Sequence, residues 1–181
     1  RSTRLAPSDE DAVDLVGMLF DVLLDERDLE GSARALIGRL IVPFIKVALM
    51  DRRMFLEKTH PARRLLNSLA EACEGNTGET PHEKALMSKV EEVVNRLQAE
   101  FNEDLAIFQT LEEEFRAFLD QHRRRVELAE RRTAEAQRGR ERLEEARARA
   151  SSELAKRVGA RELSPMLDLI LRRYWTHHLS L

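Results

Sequence analysis

Little in this sequence is suited to making a sheet, a sharp turn or a cross-link. Of 181 residues only 5% are aromatic, and there are 7 glycines, 5 prolines and 1 cysteine. Few aromatic and turn residues beside abundant Ala, Leu, Glu and Arg argue against a β-sandwich or barrel. The lone Cys73 leaves no partner for an internal disulfide and excludes a zinc site built from cysteine alone. No apolar run approaches the ~18 residues that a membrane span needs, and no signal-peptide pattern opens the chain. The expectation is a cytoplasmic, helical protein without a membrane span. The chain begins at Arg1 rather than Met and stops at Leu181 without a polar tail, which suggests a piece of a longer protein.

What is abundant is charge, at 35% of residues against roughly 25% in an ordinary domain. The net charge of −3 conceals an uneven distribution. Residues 71–121 hold 4 basic and 13 acidic side chains, whereas residues 122–161 hold 13 basic and 7 acidic ones. An acidic block feeding a basic block implies a long-range electrostatic role, within one molecule or between copies.

Apolar spacing is helical almost throughout. Ser8 before Asp9, Glu10 and Asp11 reads as a helix N-cap, followed by Val13, Val16, Phe20 and Leu23 on one face. A second helix starts at Ser32. Pro43 interrupts the run from Leu40 to Ile45, predicting a kink there or a new helix from Pro43 to about Met50. Pro61 suits the first position of a further helix, with His60 as its cap or border and Leu65, Leu66, Leu69 and Cys73 inward. Thr80, Pro81 and Glu83 form a capping-box pattern.

Beyond a bend at residues 101–104, no proline falls before Pro165. A helix from Asn102 to Val158 is expected, roughly 85 Å long. Heptad counting gives it a seam of Leu105, Phe108, Phe115, Leu119 and Val126, poor in apolar residues afterwards. Gly159 is the expected stop, and Ser164-Pro165 opens a last helix carrying Leu167, Ile170, Leu171, Tyr174 and Leu179. The expected architecture is all-α, with three parts. Residues 1–100 form a helical bundle, 101–160 a long protruding or coiled-coil-like helix, and 161–181 a helix packing back on the bundle.

The run from Leu40 to Leu49, then His60-Pro61-Ala62-Arg63-Arg64-Leu65-Leu66-Asn67, resembles the bacterial DUF1631 family. Residues 20–25 and the spacing of Pro165, Leu171 and Trp175 also resemble it. Members of that family are longer, so the resemblance implies an internal piece. It brings no catalytic residues with it.

No phosphate-binding glycine loop, nucleophile elbow, H-E-x-x-H or C-x-x-C motif occurs. Neither an enzyme, a cofactor nor a metal site is therefore expected. Arg63 and Arg64 stand in a first helical turn, where an anion also meets backbone N–H groups. They could hold an anionic ligand such as a cyclic dinucleotide, or form structural ion pairs. The segment with Arg123, Arg124, Arg131, Arg138 and Arg142 admits a nucleic-acid contact through phosphates. Against that, carboxylates are interspersed, and no aromatic residue between Phe118 and Tyr174 can stack a base. The R-x-x-x-R pairs Arg138/Arg142 and Arg157/Arg161 resemble cyclic-di-GMP loops, without the companion D-x-S-x-x-G. The reading favoured by the sequence is a protein–protein module that self-associates through the long helix, the acidic region of one copy meeting the basic region of another.

Overall fold

The computed structural model describes residues 7–29, 31–159 and 165–179. Among them every regular element is an α-helix and no strand occurs, so the fold is all-α. The helices are α1 (Pro7–Glu26), α2 (Gly31–Gly38), α3 (Ile41–Met50), α4 (Arg53–Leu56), α5 (Pro61–Cys73), α6 (Pro81–Glu100), α7 (Ala106–Gly159) and α8 (Pro165–Leu179). None of the described helices is long and apolar enough to cross a membrane.

Local chemistry sets most of the boundaries. α1 starts at Pro7, so Ser8 lies inside its first turn rather than before it; proline tolerates the first helical position because it has no N–H to satisfy. The turn at Arg39 and Leu40 separates α2 from α3. Pro43 therefore falls in the first turn of α3, where its missing donor removes no intrahelical bond. His60 caps α5, its side chain accepting the Ala62 N–H. Thr80 and Glu83 form the reciprocal capping box at α6. Thr80→Ala is expected to cost about 1 kcal/mol, read as a lower urea midpoint, and no change would show that the cap is dispensable. At the corner between α6 and α7, Glu103 adopts a φ of 61° and Asp104 accepts the Ala106 N–H at 3.0 Å.

The chain divides into two compact units, Arg1–Arg124 and Arg125–Leu181. In the first, α1 packs most extensively on α3, and α2, α5 and α6 pack on one another. Their shared core contains Val16, Phe20, Ile37, Phe44, Leu65, Leu69, Val94 and Leu97. Phe108, Leu111 and Phe115 from the start of α7 complete it, each fully buried. Phenylalanine rings run edge-on through this core, with centroids of Phe20 and Phe44 at 5.6 Å, Phe44 and Phe108 at 5.6 Å, and Phe101 and Phe108 at 5.1 Å. Cys73 is buried among them, and burial pushes its thiol up to about 11; it acts as a small apolar side chain.

The second unit holds the distal part of α7 together with α8. α7 is continuous for 54 residues, about 81 Å, and Gly139 does not interrupt it. Ala150 and Leu154 are its buried side chains in this unit. They share a face with Arg147, which lines a groove together with residues of α8. α8 belongs to the same compact unit as the end of α7. The side chains of Leu167 and Leu179, and all of Arg161 and Ser164, lie outside the described residues.

Candidate functional site

The arrangement most like catalytic machinery is the corner between α3 and α5. His60 is 5% exposed, and its Nδ1 accepts the Ala62 N–H at 3.2 Å. That fixes the proton on Nε2, which donates to Asp51 Oδ2 at 3.2 Å. With both ring nitrogens committed to the protein, His60 has no lone pair left to take a substrate proton. Asp51 also accepts the Arg53 backbone N–H and Nε, both at 3.0 Å. The Arg53 guanidinium holds the Asp51 carboxyl well below the usual carboxylate range, and the His60 bond adds to the effect. A carboxyl depressed by folding contributes stability above its unfolded value, ~3.9, and loses it as pH falls towards the folded one. Asp51→Asn is therefore expected to lower the urea midpoint at neutral pH and flatten its decline below about pH 4. Parallel curves for the two proteins would refute that linkage.

The two arginines proposed for an anion have partners inside the protein. Arg63 donates to the Met54 carbonyl at 3.2 Å, and its buried Nε has no hydrogen-bond partner. Arg64 reaches both Glu112 oxygens, at 3.3 and 3.4 Å. Glu112 is 2% exposed and is also bound by Arg116. A buried carboxylate needs such cations to offset its lost hydration. Arg64 thus takes part in a structural ion pair, one of the two readings that the sequence left open for it. No local sequence pattern reveals that Glu112 is buried, because its neutralising Arg64 is 48 residues away.

The expected oligomer seam meets a similar correction. Phe108 and Phe115 are fully buried in the first unit, and Leu105 and Leu119 pack partly buried against the same core. Apolar heptad spacing identified side chains that leave water, but their partners are α1 to α6 of the same chain. Val126 is half-buried and lies in the other unit.

Arg123, Arg124, Arg131, Arg138 and Arg142 are all exposed on α7. Further along, Arg149 pairs with Glu145 at 3.6 Å. In sequence the arginines and glutamates alternate; on a helix of 3.6 residues per turn they separate. All ten basic side chains of residues 125–159 fall in one sector, about 200° wide. Only Glu135 and Glu153 share it, while Glu127, Glu130, Glu141, Glu144 and Glu145 occupy the remainder. Sequence analysis missed this segregation, although the helical period was the signal that could have found it.

Beside this face, Arg147, Leu169, Ile170, Arg173 and Tyr174 line an open groove of about 890 Å³. Leu169 is 70% exposed and Ile170 63%, and Tyr174 and Trp175 are also exposed. Such an apolar cluster rimmed by arginine is suited to contact with another protein surface. No group of three or more metal-ligating side chains occurs among the described residues.

Neither a curated protein nor a solved structure matches this chain. Residues 1–104 match the second domain of a protein of unknown function (DUF1631), and residues 136–181 match its third domain. The interval between the matches runs from the end of the α6–α7 corner into the distal part of α7. With two successive domains of one family in order along it, the chain belongs to the DUF1631 family.

Proposed function

We propose that this chain is a non-enzymatic helical interaction module, an oligomerising or scaffolding piece of a larger bacterial cytoplasmic protein. Its occupant is a second copy of the same chain, and its working surface is the second unit rather than the heptad seam. The observation that carries the reading is the exposed apolar cluster of Leu169, Ile170, Tyr174 and Trp175 beside the arginine-rimmed groove. A surface of that composition gains free energy by leaving water, which a second copy permits.

Sedimentation velocity at increasing protein concentration tests it. The wild type is expected to form dimers or larger species, and Leu169→Glu with Ile170→Glu to weaken them while far-UV circular dichroism stays unchanged. A monomer at every concentration and salt would overturn self-association.

A further inference from the structure

The basic sector of α7 has a narrower feature within it. Arg131, Arg138, Arg142, Arg149 and Lys156 fall within an arc of about 40°, a cationic ridge running roughly 38 Å. All five are exposed. Arg131, Arg138 and Arg142 make no hydrogen bond or ion pair among the described residues. Arg149 is paired with Glu145 at 3.6 Å, so the unpaired charge lies at Arg131, Arg138 and Arg142, whose mutual repulsion an opposite surface relieves.

The matching charge is in the same sequence. Residues 71–121 carry 13 acidic side chains against 4 basic ones. Several of these carboxylates are used internally: Glu112 by Arg64 and Arg116, Glu114 by Arg96. Glu113 and Asp120 remain exposed; Glu113 accepts only the Gln109 amide. They stand seven residues apart on one face of the first part of α7, about 10.5 Å along the axis. Arg131 and Arg138, and again Arg142 and Arg149, repeat that spacing on their own ridge. Equal two-turn spacing lets two helices side by side bring a pair of ridge cations opposite the two carboxylates.

We propose that the cationic ridge of residues 131–156 docks on the exposed carboxylates Glu113 and Asp120 of a second copy. This inference rests on the self-association proposed above and names the charged surfaces that direct it. A duplex nucleic acid fits the observations less well. The chain as a whole is net negative at −3, which repels a polyanion, whereas a second copy offers charge of both signs.

The test uses the full chain. Sedimentation velocity is run at low and high salt on wild type, on R138E/R142E, and on E113R/D120R. All four positions are exposed, and circular dichroism verifies that each variant folds. The expected result is that either double reversal weakens self-association roughly tenfold or more, and that an equimolar mixture of the two variants restores association. Added salt should weaken the wild-type assembly. Self-association untouched by both reversals would overturn the charged docking while leaving the interaction-module reading intact. A monomeric wild type would overturn both. A short DNA duplex bound by the wild type and released by R138E/R142E, with self-association unchanged, would instead assign the ridge to nucleic acid.

Discussion

Phe44→Ala is expected to destabilise the first unit by about 3–5 kcal/mol. Phe44 is fully buried and touches Phe20 of α1 and Phe108 of α7 edge-on, both at 5.6 Å. Its removal empties a space bounded by three helices and deletes two ring contacts, each worth about 0.5–1.5 kcal/mol beyond area burial. The neighbours cannot collapse into the gap without moving whole helices, so most of the cavity term remains. Phe44→Leu keeps much of the volume and should cost about half as much or less. Urea titration followed by circular dichroism measures both. A loss under about 1 kcal/mol for the alanine variant would mean that this ring does not join α1, α3 and α7.

Removing both cations from Glu112 is expected to be nearly as damaging. In R64A/R116A the carboxylate loses both cations while the surrounding core still holds it largely away from water, since it is 2% exposed in the wild type. A buried charge stripped of its partners costs about 3–5 kcal/mol. Glu112→Leu should be much milder, at about 1 kcal/mol or less, because an apolar side chain needs no partner there. The two arginines then remain hydrated, their side chains being 41% and 57% exposed. The predicted order is therefore asymmetric: deleting the cations is worse than deleting the anion. Equal losses, or the reverse order, would show that Glu112 is not the group that needs compensation.

The sequence reading failed at Phe108 and Phe115 for one reason. Heptad spacing reports which side chains share a helical face, but not whether that face meets a second chain or the rest of its own. Here the first part of α7 is consumed by the core it completes. The arginines failed differently. Read along the chain, Arg and Glu alternate and look mutually neutralising. Wound into α7 they fall on separate sectors, leaving Arg131, Arg138 and Arg142 without internal partners among the described residues. α8 was recognisable from Pro165 and its apolar spacing. Its neighbour was not, because its apolar residues are equally suited to the bundle and to the end of α7.

The scarcity of aromatic, glycine and proline residues by itself determined an all-helical chain. So did the position of its breaks. Thr80 with Glu83, and His60 with Pro61, act on backbone groups within one turn of themselves, so their effect is legible locally. The continuity of α7 also follows from sequence, since nothing between residues 106 and 159 removes a backbone donor. Which surfaces are spent and which are left open was decided only by the tertiary structure. Burial and charge compensation depend on residues tens of positions away, as Arg64 and Glu112 are, and no local pattern encodes that distance.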